Sequence, residues 1–304
     1  MPHRFIAGVD LGGTNLRIVI ANEDGEVEAR RSAPLPAGAP ADVLMRVSRT
    51  IDDLARGVWV GASAAAIGVA MPGLVDPERG TGASLANLPG WDDVDVASAL
   101  RDGREAIVAV ENDANAAAIG EGWLGAARGA KTFVFVAYGT GIGAGIVLDG
   151  KLHRGANGLA GEIGFLPVSR QHVREGDWHA GLEGLAGGGA IADRARRVFG
   201  EKAKVSELFD AADAGDPEAT AWLRATEEWM AMGVASLIAT LDPDMIVFGG
   251  GVALARGERL LCPLRELLHR RGPQRTKLVL SELGEDAQIL GAVKLAIDKM
   301  RESA

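Results

Sequence analysis

The stretch F-I-A-G-V-D-L-G-G-T-N-L-R-I-V-I-A (residues 5–21) decides the fold, because two apolar runs flank a turn made of glycine and small polar residues. Apolar runs of this length, bounded by turn residues, predict β-strands. We therefore expect one strand over residues 5–9 and a second over residues 16–21. The next turn, N-E-D-G (22–25), predicts a third strand that begins at Glu26.

Strands and helices alternate along the residues that follow. Apolar residues at helical spacing predict a helix over residues 41–56, and a buried type of strand follows it over 66–71. A second such strand at 107–110 leads into an alanine-rich helix that opens at N-D-A-N (112–115) and reaches about residue 124. This alternation is typical of an α/β fold with parallel strand pairing.

An internal repeat relates the two halves of the chain. The segment V-D-L-G-G-T-N-L-R-I-V-I (9–20) is similar to V-A-Y-G-T-G-I-G-A-G-I-V (136–147), and a constant offset of 127 residues superposes Gly12 on Gly139. Each copy consists of an apolar strand, a glycine turn, a second apolar strand and an Asp-Gly turn. A repeat this far apart favours two similar lobes over a short-period solenoid. The later patterns predict strands over 245–248 and 277–281 and helices over 190–199, 205–212, 216–241, 260–269 and 286–300.

Composition excludes several classes of protein. The 304 residues include 32 basic and 41 acidic side chains, a net charge of −9, which disfavours general binding of nucleic acid or anionic membranes. The single cysteine, Cys262, excludes an intramolecular disulfide and a cysteine-cluster metal site. The apolar runs stay below the ~18 residues of a membrane span, and the start lacks the apolar core of a signal peptide. We expect a cytoplasmic protein.

The first glycine turn is a candidate phosphate site. Gly12 and Gly13 let backbone N–H groups turn toward an anion, and Thr14 and Asn15 add further donors. Asp10, at the end of the first strand, could hold Mg²⁺ directly or through water. The alternative is a tight β-hairpin, in which Gly-Gly is a common turn.

Two further glycine-rich segments follow apolar strands. Y-G-T-G-I-G-A-G (138–145) contains Thr140 and Gly141, and F-G-G-G-V-A (248–253), which contains Gly250, precedes a helix. Two converging turns would clamp a polyphosphate from both sides, and glycines at a helix N-terminus suit a phosphate or a flat ring. The alternatives are a second hairpin and close backbone packing. No Walker A motif occurs in the chain.

Candidate carboxylates lie in three other segments. V-E-N-D-A-N-A (110–116) puts Asn112 and Asp113 just past a buried strand, where Asp113 could act as a general base. The alternative is that Asp113 only caps the helix. Glu162 and Glu183 each lie next to glycines, and carboxylates in surface turns are usually solvated.

Taken in order, these segments resemble the ROK family of sugar kinases, within the sugar kinase/Hsp70/actin superfamily. The matching motifs are D-L-G-G-T-N (10–15), M-P-G-L-V-D (71–76), N-L-P-G-W (87–91), E-N-D-A-N-A-A-A (111–118), G-T-G-I-G-A-G-I-V (139–147), G-E-I-G (161–164), L-E (182–183) and G-G-G-V (249–252). The resemblance implies two lobes with ribonuclease H-like sheets and a cleft between them for sugar and nucleotide. With the final helix on the small lobe, the lobes would be residues 1–115 plus 286–304 and residues 116–285.

The resemblance also implies a role for each candidate residue. Asp113 matches the catalytic base that takes the proton of a sugar hydroxyl as this hydroxyl attacks the γ-phosphate of ATP. Sugar hydroxyls would be bound by Asn87, Asn112, Glu162 and Glu183. The nucleotide would be held by Gly12, Gly13, Thr14, Asn15, Thr140, Gly141 and Gly250. Asp10 would lie near Mg²⁺.

One departure from the family pattern concerns zinc. Most members hold a structural zinc with a histidine after G-E-I-G and with a C-x-C-G-x-x-G-C-x-E run. The corresponding positions here are Phe165, Arg174, Gly176 and Gly181. We therefore predict no zinc site, with the loop over 165–181 held by packing around Trp178. The histidine also contacts the sugar in the family, so its absence leaves the identity of the sugar open.

The resemblance therefore implies an ATP- and Mg²⁺-dependent hexokinase of glucokinase type that phosphorylates the 6-hydroxyl group of glucose. A fructokinase, an N-acylhexosamine kinase, a glucokinase that also uses polyphosphate and a catalytically silent sugar-binding protein stay open as alternatives. Repressors of this family add an N-terminal winged helix of roughly 70–80 residues, whereas the first strand here starts by Phe5. A DNA-binding repressor is therefore not expected. The resemblance suggests a homodimer.

Overall fold

Each of two units of the chain is built around a five-stranded mixed β-sheet. The computed structural model describes residues 3–83, 90–101, 103–168, 181–270 and 275–303. The first unit comprises Met1–Arg128, Arg154–Leu159 and Glu285–Ala304, and the second comprises Gly129–His153 and Ala160–Gly284. The α/β class predicted from the alternation of strands and helices is confirmed.

The elements of the described residues are numbered in chain order. The strands are β1 (Arg4–Leu11), β2 (Asn15–Ala21), β3 (Val27–Pro34), β4 (Ser63–Met71), β5 (Leu74–Asp76), β6 (Thr81–Ala83), β7 (Val94–Asp95), β8 (Ile107–Asn112), β9 (Phe133–Tyr138), β10 (Ile142–Leu148), β11 (Lys151–Leu152), β12 (Met245–Gly249) and β13 (Lys277–Leu280). The α-helices are α1 (Pro40–Val58), α2 (Val96–Arg101), α3 (Asp113–Leu124), α4 (Leu182–Ala186), α5 (Gly188–Phe199), α6 (Val205–Asp213), α7 (Pro217–Leu241), α8 (Gly251–Arg256), α9 (Glu258–His269) and α10 (Ala287–Glu302).

The sheet of the first unit has the order β3-β2-β1-β4-β8. The first three strands of the chain pair antiparallel, whereas β4 and β8 run parallel to β1. β1 and β4 are buried along almost their whole length, as continuous apolar strands in the middle of a covered sheet should be. The carboxyl ends of β1, β4 and β8 therefore meet at one edge of this sheet.

Helix α10 returns from the end of the chain to cover the first sheet. Its apolar residues Ile289 and Val293 pack with Ile6 and Val19, and it also packs against α3. The two helices meet at Gly291, where a Cβ atom would lie 1.7 Å from the carbonyl oxygen of Ala116. The close approach of their backbones thus fixes α3, and with it the residues at the start of α3.

The sheet of the second unit has the order β11-β10-β9-β12-β13. β9, β10 and β11 pair antiparallel, whereas β12 and β13 run parallel to β9. Helices α4 to α9 belong to the same unit and bury residues such as Leu182, Val234 and Leu261 against Val134 and Phe248 of the sheet.

The two sheets repeat one another, as the sequence predicts. An antiparallel hairpin, a third antiparallel strand and two parallel strands follow in the same spatial order in both. Adding 127 to the bounds of β2 gives the bounds of β10. The two glycine turns therefore occupy equivalent positions, each between the first and second strands of its own sheet.

Apart from the single residue Glu285, which belongs to the first unit, the compact units differ from the predicted lobes in two places. The first unit extends to Arg128 rather than residue 115, because α3 packs against α10. It also contains the short segment Arg154–Leu159, although the residues on both sides of this segment belong to the second unit. The domain boundaries at 115 and 285 remain a prediction.

Candidate active site

The first glycine turn joins β1 to β2 in the first unit. The N–H of Gly12 donates to the carbonyl oxygen of Asn15 at 2.9 Å, and the carbonyl oxygen of Thr14 accepts from Leu35 N–H at 2.8 Å. Gly13, Thr14 and Asn15 are exposed. The turn is therefore a tight β-hairpin, which was the alternative to a phosphate site. Its exposed donors remain accessible to a ligand.

Asp10 lies at the last position but one of β1 and is almost fully buried. Arg17, which is opposite Asp10 in the strand register, donates to its Oδ2 from Nε at 2.7 Å and contacts the same atom from a second guanidinium nitrogen at 2.6 Å. Burial raises the pKa of the Asp10 carboxyl, and the positive charge of Arg17 opposes that shift. The guanidinium also donates to the backbone oxygen of Glu285, so Arg17 fixes the orientation of Asp10.

The turn between β8 and α3 holds Asn112 and Asp113. Asn112, not Asp113, is the N-cap: its Oδ1 accepts from the N–H groups of Ala114 at 2.9 Å and Asn115 at 3.1 Å. Its Nδ2 donates to the carbonyl oxygen of Gly73 at 3.1 Å. The alternative in which Asp113 merely caps the helix is therefore wrong, because a neighbour with the same capping ability already does so.

Asp113 is the first residue of α3 and is half-buried. Its Oδ1 accepts from the N–H of Ala114 at 2.7 Å. A carboxylate at a helix N-terminus is stabilised by the unpaired N–H groups and the positive end of the helix dipole. Asp113 therefore lies at the edge of the sheet where β8 ends, with its carboxyl group fixed against the first turn of α3.

The carboxylate of Glu111 stabilises this turn through hydrogen bonds. This residue was not among the candidates predicted from the sequence. It is almost fully buried, and its Oε1 accepts from Asn112 N–H at 3.0 Å and from Asn115 Nδ2 at 2.9 Å. Its Oε2 accepts from Nε of Arg154 at 2.7 Å and forms an ion pair with the same guanidinium. One buried carboxylate thus connects Asn112 and Asn115, on either side of Asp113, to Arg154 of the Arg154–Leu159 segment.

The second glycine turn joins β9 to β10 in the second unit. The carbonyl oxygens of Gly139 and Thr140 accept from the N–H groups of Gly188 at 2.9 Å and Gly189 at 2.8 Å, at the start of α5. Thr140 is exposed. The glycines at 187 and 188 are a signal that the sequence reasoning missed, since a Cβ atom there would lie 2.7 Å from the carbonyl oxygen of Glu183 and 2.5 Å from that of Gly139.

Glu162 and Glu183 both belong to the second unit. Glu183 is exposed, yet its Oε2 accepts from the N–H of Ile142 at 2.7 Å, so it is not simply a solvated turn residue. Glu162 is half-buried, and burial together with the negative charge of Glu183 raises the pKa of its carboxyl. The carboxylates are therefore close enough for the charge of Glu183 to act on Glu162, and their role in binding a sugar stays a prediction.

Gly250 lies between β12 and α8 with a φ of 88°, which favours glycine. A Cβ atom there would lie 2.6 Å from the carbonyl oxygen of Tyr138, so the two strand ends approach with bare backbone. This close approach explains the glycine at residue 250, and its role near the nucleotide stays a prediction.

The predicted site residues divide between the two units. Those of the first unit are Asp10, Gly12, Gly13, Thr14, Asn15, Asn112 and Asp113, and those of the second are Thr140, Gly141, Glu162, Glu183 and Gly250. Asn87 lies outside the described residues, so its predicted role stays a prediction.

The predicted absence of zinc also stays a prediction. Of the four positions that match zinc ligands in the family, Phe165 is exposed and Gly181 packs against the backbone of Gly164, whereas Arg174 and Gly176 lie outside the described residues. Trp178 lies outside them as well. Within the described part of the chain, no three His, Cys, Asp or Glu side chains are grouped so that they could bind a metal. The helices in that part include none long and apolar enough to cross a membrane.

Comparison with known proteins agrees with this geometry. The model of the ROK family matches residues 6–299. A glucokinase from Thermotoga maritima is 33% identical over 99% of both chains, and a bifunctional enzyme NanE/NanK from Brucella suis is 35% identical over 97% of this chain and 54% of its own. The crystal structure of a ROK family glucokinase from Streptomyces griseus, in complex with glucose and AMPPNP, is 28% identical with a TM-score of 0.77 and covers 97% of this chain and 99% of its own.

A repeated ribonuclease H-like sheet with these motifs defines the sugar kinase/Hsp70/actin fold, and the chain is a sugar kinase. More particularly, it belongs to the ROK family.

Proposed function

We propose that this chain is an ATP-dependent hexokinase of glucokinase type that phosphorylates the 6-hydroxyl group of glucose. The observation that carries the proposal is the placement of Asp113, a half-buried carboxylate at the N-terminus of α3. The cap of Asn112 and the buried network of Glu111 keep it in one position. A fixed carboxylate at the end of a parallel strand is suited to act as general base.

The proposed sugar site comprises Asn87, Asn112, Glu162 and Glu183. Carboxylate oxygens accept hydrogen bonds from adjacent hydroxyl groups, and amides can both donate and accept, so these side chains suit a sugar. The half-buried Glu162 beside Glu183 supports this assignment, because a hydroxyl donor would relieve the repulsion between two acceptors.

The proposed nucleotide site comprises both glycine turns and Gly250. In the proposed arrangement, the turns at Gly12–Asn15 and Thr140–Gly141 both supply donors for the phosphates of the nucleotide. The adenosine lies against the bare backbone at Gly250. The equivalent positions of the two turns, each within its own repeated sheet, support the same phosphate-binding role for both.

Mg²⁺ fits the chemistry of Asp10. Arg17 bonds only to Oδ2 of Asp10, and Oδ1 accepts no hydrogen bond from the described residues. Mg²⁺ in kinases is commonly held by one or two carboxylates together with phosphates of the substrate. We propose that Asp10 holds the ion directly or through water. When bound, the ion would neutralise negative charge on the β- and γ-phosphates.

In this proposal the chain aligns the two substrates for phosphoryl transfer and provides one proton acceptor. The oxygen of the sugar 6-hydroxyl forms a bond to the γ-phosphorus while the bond from that phosphorus to the bridging oxygen of ADP breaks. The hydroxyl proton passes to the carboxylate of Asp113. Because phosphoryl transfer depends mainly on alignment and charge neutralisation, no covalent enzyme intermediate is needed.

A second candidate is a kinase of N-acylhexosamines. The likeness to the structure of a putative N-acetylmannosamine kinase from Listeria monocytogenes, which is 25% identical with a TM-score of 0.85, favours it, and Phe165 replaces the histidine that contacts the sugar in most of the family. A fructokinase and a silent sugar-binding protein remain alternatives, as does polyphosphate as a second phosphate donor.

A coupled assay of ADP release over a panel of sugars tests the proposal. The panel contains glucose, mannose, fructose, N-acetylglucosamine and N-acetylmannosamine, each with ATP and Mg²⁺. We expect the highest kcat/KM with glucose. A higher value with an N-acylated sugar would favour the second candidate, whereas sugar binding by calorimetry without turnover would favour a silent binder. Direct detection of sugar phosphate with polyphosphate in place of ATP tests the donor.

The ion pair beneath the Asp113 turn gives a further prediction. Arg154→Met leaves the buried Glu111 carboxylate without its cation, so we expect kcat to fall about tenfold or more as the turn shifts. In Glu111→Gln/Arg154→Met, the neutral amide needs no cation and can still accept from Asn112, so most of the loss should be recovered. Steady-state kinetics and thermal unfolding measure both variants. A double variant as impaired as the single one would contradict a positioning role.

The remaining parts of the proposal concern the cellular context. We propose a cytoplasmic homodimer that binds a sugar and ATP and does not bind nucleic acid or membranes. The net charge of −9 supports the absence of nucleic-acid binding. Light scattering of the purified protein would give the oligomeric state.

A further inference from the structure

We infer that Glu183 is a positioning residue for the second glycine turn as well as a ligand of the sugar, so that one side chain serves both substrates. The inference rests on the proposed function, in which the Thr140–Gly141 turn holds phosphates of the nucleotide. Its basis is a set of contacts within the second unit, between the α4–α5 segment and the junction of β9 with β10.

The side chain of Glu183 reaches the end of the turn directly. Its Oε2 accepts from the N–H of Ile142, the first residue of β10, at 2.7 Å. The carboxylate also lies over Gly141, where a Cβ atom would be 2.4 Å from Oε2. Because residue 141 has no side chain, the carboxylate of Glu183 can reach the turn. This explains the glycine at 141 independently of any phosphate contact.

The backbone of the same segment holds the other side of the turn. The N–H groups of Gly188 and Gly189 donate to the carbonyl oxygens of Gly139 and Thr140, and Gly187 N–H donates to the carbonyl oxygen of Glu183 at 2.7 Å. The α4–α5 segment thus provides donors for the carbonyl groups of the turn and one acceptor for its N–H side. Glu183 is the only side chain with a hydrogen bond to the turn or to Ile142 among the described residues.

Two effects of the Glu183 side chain on nucleotide affinity have opposite signs. As an acceptor, it pre-organises the turn, and its loss should weaken nucleotide binding because the turn must then be ordered on binding. As a negative charge near a phosphate site, it repels the nucleotide, and its loss should strengthen binding. Because Glu183 is exposed, solvent and salt screen the charge effect. We therefore expect the acceptor effect to dominate.

The test measures nucleotide affinity in the absence of sugar. Isothermal titration calorimetry of the full chain with AMP-PNP and Mg²⁺ compares the wild type with Glu183→Ala and Glu183→Gln. We expect Kd to rise about tenfold for Glu183→Ala, in keeping with a lost hydrogen bond to an ionised group. Glu183→Gln retains an acceptor oxygen, so its Kd should stay within about twofold of the wild-type value or fall below it. Both variants should raise the KM for the sugar.

Glu162→Ala is the matched control. Glu162 is the other proposed sugar carboxylate of this unit, and it makes no hydrogen bond to the second turn. We expect this variant to raise the KM for the sugar and to leave the Kd for AMP-PNP unchanged. Thermal unfolding of all three variants identifies any general loss of structure, and the KM for ATP at saturating glucose provides a second measure of the same effect.

The possible failures are distinguishable. If Glu183→Ala binds AMP-PNP as tightly as the wild type or more tightly, the positioning role is overturned while the proposed function stands. If Glu183→Gln loses as much affinity as Glu183→Ala, the acceptor explanation is overturned. If the wild type binds no AMP-PNP, either with or without glucose, the proposed function itself fails.

Discussion

Replacing Asp113 with asparagine is expected to lower kcat by about 10²–10⁴-fold, the usual contribution of a general base. The amide preserves the size of the side chain and its acceptor oxygen for Ala114 N–H, so the turn should keep its shape. It cannot take the proton of the attacking hydroxyl. Glucose affinity should therefore stay within about tenfold of the wild-type value, as measured by calorimetry beside the kinetic assay.

A control for this variant is Asp42→Asn. Asp42 is an exposed carboxylate in the first turn of α1, a position similar to that of Asp113 but remote from every proposed site residue in the sequence. We expect this substitution to leave kcat unchanged. Near-normal turnover of Asp113→Asn would remove Asp113 from the mechanism.

The second large effect is expected on stability, from Gly291→Ala. The added Cβ atom would lie 1.7 Å from the carbonyl oxygen of Ala116, a backbone atom that cannot rotate away. Helices α10 and α3 would have to separate, and overpacking of this kind costs about 3 kcal/mol or more of unfolding free energy. Because α3 begins at Asp113, activity should fall as well. Urea denaturation followed by circular dichroism measures the change.

Gly57→Ala provides the matched control. Gly57 lies within α1, and a Cβ atom there would meet no atom within 4 Å. Alanine has the higher helix propensity, so this variant should be as stable as the wild type or more stable by up to about 1 kcal/mol. Equal stability of Gly291→Ala and Gly57→Ala would contradict the close packing of α10 on α3.

The strand pattern was predictable from sequence because it depends on local features. The runs around the two glycine turns are apolar, short and bounded by turn residues, which explains why β2 and β10 begin and end where the repeat predicts. The helices follow from apolar spacing in the same way. The pairing of Asp10 with Arg17 could also have been predicted from the sequence, since a tight hairpin places these two residues opposite each other.

The partners of Glu111 and Glu183 were not predictable, because they come from distant parts of the chain. Nothing near Glu111 in the sequence indicates that Arg154 will reach it, and nothing near Glu183 indicates Ile142. The different roles of Asn112 and Asp113 were also not predictable from the sequence. Both residue types cap helices well, so only the geometry shows that Asn112 is the N-cap and that Asp113 is the first residue of the helix.

Product analysis of the wild-type reaction tests the central claim most directly. Full-length protein is incubated with glucose, ATP and Mg²⁺, and the products are identified by ³¹P nuclear magnetic resonance. We predict that glucose 6-phosphate and ADP appear in equal amounts, and that Asp113→Asn forms them more slowly by about the factor given above. Absence of any sugar phosphate, with glucose and with every other sugar of the panel, would contradict the account.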